Sequence, residues 1–169
     1  MKKLILSAIA VMVFGFANAQ EQTKKGKWLV EANTNFGATA VGNTSFQLAS
    51  SDGNTSWNLG AEAGYFVADN LAIKAGLGYG DNGFDSTIFS YKVGAKYYLV
   101  NKFPLEASFT GASIKDYDEN PSYFGLQGGY ALFVGKNVSI EPGIRYNISL
   151  NNDFYDDVFQ LNIGFALHF

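Results

Sequence analysis

Cysteine is absent from this chain, and basic residues are too few to form a positively charged surface. The missing cysteines exclude disulfide bonds and thiolate-ligated metal sites. The 12 Lys and Arg residues are outnumbered by 15 Asp and Glu residues, which argues against nucleic acid as a partner. After the N-terminal region, no segment approaches the roughly 18 consecutive apolar residues of a transmembrane helix. If the chain crosses a membrane, it must therefore cross with strands.

The N-terminus predicts export from the cytoplasm. Lys2 and Lys3 precede an almost wholly apolar run from Leu4 to Ala17, and Ala17-Asn18-Ala19 has the small-x-small pattern of a cleavage site. These are the three parts of a secretory signal peptide. We therefore expect residues 1–19 to be a cleaved signal peptide and residues 20–169 to form one domain.

Most of the remaining sequence alternates between apolar and polar or small residues, which predicts strands with one apolar face. Eight such segments can be distinguished, and their first apolar residues are Trp28, Trp57, Leu71, Phe89, Phe103, Phe124, Val138 and Phe159. Short connections centred on 69–70, 101–102 and 136–137 alternate with long ones at 38–56, 81–86, 111–122 and 151–157. This pattern predicts an all-β, eight-stranded, antiparallel up-and-down transmembrane β-barrel with one short-turn rim and one long-loop rim.

The polar face of these strands is expected to line the lumen. It carries glycines and a set of polar and charged residues: Glu31, Glu62, Lys74, Lys92, Lys96, Glu106, Gln127, Glu141 and Arg145. A soluble ligand-binding barrel would instead place the apolar face inside. However, aromatic residues on the apolar face recur eight residues apart, as in Trp28 with Phe36, and this spacing suits the two aromatic girdles of a membrane barrel.

The expected register brings lumen charges together in pairs. Counting from the turns places Lys96 opposite Glu106, Glu62 near Lys74, and Arg145 opposite Gln127. Lys96 and Glu106 are therefore predicted to form an ion pair. A charged lumen could serve as a gate, but a purely structural polar core is the preferred interpretation. Pro142 lies inside the seventh strand and predicts a bulge or a distorted register there, which makes the partner of Glu141 uncertain.

The last strand resembles the assembly signal of bacterial outer-membrane barrels. The residues that carry this resemblance are Phe159, Leu161, Ile163, Phe165, Leu167 and the final Phe169. With the strand number, the alternation and the polar interior, the chain resembles the small eight-stranded outer-membrane barrels, the family that includes OmpX and the membrane domain of OmpA. The phrase Gly76-Leu77-Gly78-Tyr79 also resembles those of the broad outer-membrane β-barrel domain family.

This resemblance implies a monomer in the outer membrane with a filled lumen and both termini in the periplasm. Its partners would be outer-membrane lipid and the barrel assembly machinery, and its role structural or one of surface interaction. A narrow channel or small-ligand conduit is the first alternative, and a secreted ligand-binding barrel is the second. No cofactor or metal in the barrel is expected.

Catalysis finds little support in the sequence. The single histidine, His168, belongs to the polar face of the last strand and is expected to be a girdle residue near the periplasmic rim. The lipid A deacylase barrels, which this architecture also resembles, need a His-x-Ser pair that Phe169 at the end of the chain does not allow. Acidic residues in the last two long loops suggest one further hypothesis, that calcium or magnesium binds between them through oxygen ligands. These residues are Asp116, Asp118, Glu119, Asp153, Asp156 and Asp157.

Overall fold

The computed structural model describes residues 21–51, 53–83 and 86–169. The predicted signal peptide at residues 1–19 lies outside these ranges. Among the described residues, no helix is both long and apolar enough to cross a membrane.

The described residues form ten strand segments in one antiparallel sheet that closes on itself. The segments are β1 Trp28–Phe36, β2 Gln47–Ser51, β3 Asn54–Ala68, β4 Leu71–Asp81, β5 Thr87–Leu99, β6 Phe103–Ile114, β7 Ser122–Gly129, β8 Leu132–Phe133, β9 Val138–Ser149 and β10 Val158–His168. The sheet closes because β1 pairs with β10 on one side and with β3 on the other. β2 pairs with the start of β3, and β8 continues the line of β7 along β9. The predicted closed eight-stranded antiparallel barrel is therefore confirmed.

The alternation along the strands separates an apolar outside from a polar inside. The exposed fraction is 60% for Leu77 and 54% for Val93, whereas Glu62 is 2% and Lys96 is 1% exposed. Successive side chains of a strand point to opposite faces of the sheet. The apolar side chains consequently cover the outer wall, as the sequence predicts.

The register follows from short turns at one rim. Asn70 and Asn101 adopt positive φ angles of 66° and 61°, a backbone conformation that asparagine accepts more easily than most residues. Lys96 then lies opposite Glu106, and Arg145 opposite Gln127. Glu62 lies opposite Gly76, two residues from Lys74. These backbone positions agree with the predicted register.

The first long connection differs from the predicted 38–56. It ends at Phe46, because β2 and the first residues of β3 form a hairpin within that range. β1 and β3 pair only over Trp28–Glu31 and Glu62–Tyr65. Further toward the long-loop rim, residues 37–46 turn inward between the two strands, and the Phe46 N–H donates to the Asn33 carbonyl at 2.6 Å. We call residues 37–46 the plug segment.

Pro142 does not produce the predicted bulge, so that prediction is wrong. β9 continues through it, and the register with β10 is uninterrupted. The irregularity falls on the opposite neighbour, where β7 ends at Gly129 and β8 begins at Leu132. Proline lacks only the donor, and its carbonyl still accepts the Tyr130 N–H at 3.0 Å. The hydrogen bond that Pro142 cannot donate thus interrupts the ladder along β9 without shifting the register.

The short-turn end of the lumen is closed by an apolar cluster and by the segment that precedes β1. Phe66, Tyr98 and Phe133 belong to this buried cluster. Thr23, in the segment before β1, is held against one of the short turns. The Asn70 N–H donates to the Thr23 carbonyl at 2.6 Å, and the Thr23 hydroxyl donates to Asn70 Oδ1 at 2.5 Å. This end of the barrel is therefore filled by side chains and capped by backbone.

Candidate functional site: the charged lumen

Eight charged side chains meet inside the barrel, and we call them the ion-pair cluster. Four are acids and four are bases, and each is at most 7% exposed. They come from β1, β3, β4, β5, β6 and β9 and are Glu31, Glu62, Lys74, Lys92, Lys96, Glu106, Glu141 and Arg145. Buried charges require partners of opposite sign, and the cluster supplies equal numbers of both.

Lys74 is the centre of the cluster. Its ammonium lies 2.8 Å from a carboxylate oxygen of Glu62 and 2.7 Å from one of Glu106, and it also contacts Glu31. Carboxylate oxygens of the three glutamates lie within 4.8 Å of one another, close enough to hold a metal ion. Because Lys74 bonds to all three, its ammonium already supplies the positive charge that a bound cation would bring.

Lys96 does not pair with Glu106, so the predicted ion pair is wrong. Its ammonium contacts Glu31 and donates to Glu141 Oε2 at 2.5 Å. Adjacent strands place Lys96 and Glu106 side by side, but lysine is long enough to reach across a narrow lumen. Glu106 is instead bound by Lys74 and by Arg145, whose Nη1 lies 3.2 Å from Glu106 Oε1.

Glu141 is well held despite its proline neighbour. Besides Lys96, it accepts the hydroxyl of Tyr98 at 2.9 Å and that of Ser139 at 2.8 Å. Its uncertain partner is therefore resolved: Glu141 anchors the end of the cluster nearest the short turns.

At the other end of the cluster, Arg145 crosses the lumen over a glycine. Its Nη2 donates to the Ser108 hydroxyl at 2.9 Å. A Cβ atom at Gly125 would lie 1.9 Å from this guanidinium nitrogen. Glycine at 125 therefore provides the space that the guanidinium occupies. Gln127 lies opposite Arg145 and lines a small cavity next to the cluster.

The plug segment covers the cluster from the long-loop rim. The Thr44 hydroxyl donates to Glu62 Oε1 at 2.6 Å, and Asn58 Nδ2 donates to the Ser45 carbonyl at 2.5 Å. A Cβ at Gly60 would lie 2.3 Å from the carbonyl carbon of Thr44, and one at Gly78 would lie 2.7 Å from the Asn43 carbonyl oxygen. The sequence predicted a crowded lumen from such glycines but did not show that a loop fills it.

His168 points into the barrel, as its place on the polar face predicts, but it is not a girdle residue, which corrects that part of the prediction. It is fully buried and stacks near Phe66, Tyr98 and Phe133. Its Nε2 lies 3.0 Å from the Ser139 hydroxyl. This pair lacks the geometry of a hydrolase triad, because the nearby carboxylate, Glu141, accepts from the serine and both residues are shielded from solvent.

The last two long loops are neighbours, as expected. The Tyr155 hydroxyl donates to the Glu119 carbonyl at 2.8 Å. Asp157 organises its own loop, because it accepts the Ser149 N–H at 2.8 Å and the Tyr146 hydroxyl at 2.7 Å. These hydrogen bonds lower the pKa of Asp157. In the described parts of the chain, the acidic loop residues form no group of three ligand atoms comparable to that in the lumen, and divalent-ion binding stays a prediction.

The residues that resemble an assembly signal lie on one face of β10 or just after it. Four of the strand residues and Phe169 are at least 43% exposed, and Ile163 is half-buried. These six residues form a continuous apolar stripe on the outer wall. Whether the stripe acts in assembly stays a prediction.

Solved structures with the same fold are small membrane barrels. The N-terminal β-barrel domain of Pseudomonas aeruginosa OprF has 13% identical residues and a TM-score of 0.53, over 86% of this chain and 98% of that chain. Yersinia pestis Ail in a phospholipid bilayer nanodisc has 12% identical residues and a TM-score of 0.51, over 86% of this chain and 100% of that chain. Neisserial surface protein A has 17% identical residues and a TM-score of 0.50, over 86% of this chain and 98% of that chain.

Sequence comparison adds no closer relative. No protein-family model matches the chain, and no curated protein matches it significantly. At this level of identity, the structural similarity establishes the fold and leaves the role to be argued from the residues. The fold of this chain is that of the small eight-stranded outer-membrane barrels.

Proposed function

We propose that this protein is an integral outer-membrane barrel with a sealed lumen, which serves a structural or surface-interaction role. The observation that carries the proposal is the arrangement of its two faces. Exposed apolar side chains cover the outer wall, while a charge-balanced, buried ion-pair cluster fills the inside. Only an apolar surrounding such as lipid makes this distribution favourable.

Aromatic pairs near both rims support the membrane setting. Trp28 and Tyr65 pack with ring centroids 5.1 Å apart near the short turns, and Trp57 and Tyr79 pack at 6.1 Å near the long loops. Aromatic girdles at the two interfaces are typical of membrane barrels. The same distribution argues against a secreted ligand-binding barrel, which would enclose its apolar face.

The narrow channel is the second candidate, and the lumen argues against it. The ion-pair cluster is almost completely buried, and the plug segment lies above it. The lumen cavity lined by Gln127 measures about 20 Å³, which is the space for one or two water molecules. We therefore favour a barrel that displays its loops and conducts nothing.

The remaining partners follow from this proposal. A monomer in contact with outer-membrane lipid, inserted by the assembly machinery and with both termini in the periplasm, agrees with the closed wall. The same proposal includes no enzymatic activity, since the Ser139–His168 pair is closed off from substrate.

Cell fractionation tests the location. We expect the protein in the outer-membrane fraction, where it should resist washing with sodium carbonate. Recovery as a soluble periplasmic or secreted protein would contradict the proposal. Single-channel recording in planar bilayers separates the structural role from the channel.

A further inference from the structure

A polar cavity lies in the lumen between the plug segment and the ion-pair cluster. Its volume of about 20 Å³ holds a particle of about the size of one or two water molecules. Two basic side chains, Lys92 and Arg145, line it together with several amides. Within the part of the chain that the structure describes, no carboxylate lines this cavity.

A chain of hydrogen bonds fixes which amide atoms face the cavity. Arg145 Nε donates to Asn147 Oδ1 at 2.7 Å. Because a guanidinium can only donate, Asn147 must present its oxygen to Arg145 and its NH₂ group to the next partner. That NH₂ group donates to Gln160 Oε1. The remaining terminal atom of Gln160 is therefore Nε2, a donor.

Gln160 Nε2 is the unused end of this chain. Gln160 lines the cavity and is 2% exposed, and its Nε2 has no hydrogen-bond partner among the described residues. A buried donor without an acceptor is unfavourable. The cavity thus lacks an acceptor at this position. Asn162 also lines the cavity, and its Oδ1 has no partner among the described residues; a bound anion requires this amide to be turned so that its NH₂ group faces the ion.

The charges beside the cavity favour a negative acceptor. Lys92 lies 2.5 Å from Glu62 Oε1, and Arg145 lies 3.2 Å from Glu106 Oε1. Neither glutamate lines the cavity, whereas both bases do. Both basic residues therefore border the cavity, while the carboxylates that they pair with do not. Electrostatic attraction is strong in such a water-poor interior.

We propose that this cavity is a binding site for one small monovalent anion of the halide class, such as chloride. Lys92, Arg145 and Gln160 Nε2 supply the positive potential and the free donor. The volume of about 20 Å³ leaves room for one small ion and favours a halide over the larger sulfate, phosphate and organic anions. The plug segment forms the roof, because Gly42 and Asn43 also line the cavity.

The first test measures how salts affect unfolding. The protein is refolded from urea into detergent without chloride. Its unfolding is then compared in sodium chloride and in sodium gluconate at the same ionic strength. Chloride at ten times its dissociation constant should raise the folding equilibrium constant roughly tenfold. Bromide should act like chloride. Sulfate is left out of the comparison, because it stabilises folded proteins by exclusion from their surface. Equal stability in all these salts would overturn the proposal.

A substitution that carries its own negative charge provides the second test. Gln160→Glu places a carboxylate at the cavity, where it replaces the bound anion. We expect this variant to be insensitive to chloride and at least as stable as the unaltered protein in gluconate. Asn137→Asp makes the same amide-to-carboxylate change at an exposed position of a short turn and should leave the chloride effect intact.

Crystallography with sodium bromide locates the ion directly. An anomalous bromine peak within hydrogen-bonding distance of Gln160 Nε2 is the expected result. If the cavity contains only water in bromide-soaked crystals, the site takes a neutral molecule and the proposal is wrong. Chloride sensitivity that persists in Gln160→Glu would equally contradict it.

Discussion

At the scale of single residues, the face on which a residue lies determines how far a charge at that position lowers the free energy of unfolding. Leu77 is 60% exposed on the outer wall, in the middle of β4. Leu77→Arg should destabilise the barrel in lipid by about 2–4 kcal/mol, the cost of a base near the bilayer midplane. Urea titration in vesicles measures the change in the free energy of unfolding.

Leu48→Arg is the matched control for this prediction. Leu48 is also apolar and exposed, but it lies in β2, opposite the aromatic residue Trp57 near the long-loop rim. Here the cost should be only about 0–1 kcal/mol. Similar losses for Leu77→Arg and Leu48→Arg would show that the outer wall does not face a bilayer as proposed.

The ion-pair cluster makes a second prediction at this scale. Lys96→Met removes the cation that binds Glu141 and leaves Glu31 with Lys74 alone, and it should cost about 3–5 kcal/mol. Adding Glu141→Gln should recover part of the loss, because it removes one unpaired charge. Adding Glu106→Gln instead should recover less, since Glu106 is bound by Lys74 and Arg145.

Double-mutant cycles measure these couplings. Lys136→Met, an exposed lysine at a short turn, is the control and should change stability by no more than about 0.5 kcal/mol. A stronger coupling of Lys96 to Glu106 than to Glu141 would contradict the observed contacts and favour the pairing across adjacent strands.

At the scale of strands and loops, the sequence predicts the features that adjacent strands determine, such as faces and register. It does not predict contacts across the lumen, which depend on how the barrel closes. Alternation determines the faces, and the turns at 69–70 and 101–102 determine the register, so Lys96 opposite Glu106 was predictable. The partner of a long side chain was not, because it depends on which strands the closed barrel places across the lumen. Pro142 illustrates the same limit, since its effect appears in β7 rather than in β9.

The plug segment was missed because it occupies space that glycines leave open on the lumen wall. Gly60 and Gly78 leave space that residues 43 and 44 fill. The sequence of a loop does not show by itself that the loop folds into the lumen. The sequence contained one indication, which is glycine on the inward face of β3 and β4 near the long-loop rim.

This packing leads to a prediction for the plug segment. Gly60→Ala places a Cβ 2.3 Å from the carbonyl carbon of Thr44, so the plug segment should be displaced while the wall stays closed. Limited proteolysis should then cut residues 37–46 faster. A closed barrel has no free edge strand and resists detergent, so unheated and boiled samples of the variant should still migrate differently on gels. Gly135→Ala, where nothing lies within 4 Å, should change neither. Unchanged proteolysis of Gly60→Ala would contradict the close approach of the plug segment.

At the scale of the whole molecule, three barriers in series close the lumen. The plug segment lies near the long-loop rim, and the ion-pair cluster lies below it with Lys74 bound to three glutamates. Below both, the aromatic side chains of Phe66, Tyr98 and Phe133 fill the short-turn end. Removal of the first barrier alone therefore leaves the passage blocked.

The last prediction concerns a variant in which residues 39–44 are replaced by a short glycine and serine linker. It should remain non-conducting in planar bilayers, as should the unaltered protein, because ions would still have to displace the paired charges around Lys74. A large-pore porin reconstituted in parallel verifies that the assay detects channels. Stable conductance steps from the linker variant alone would show that the plug segment is the only barrier, and steps from the unaltered protein would favour the narrow channel over the sealed barrel.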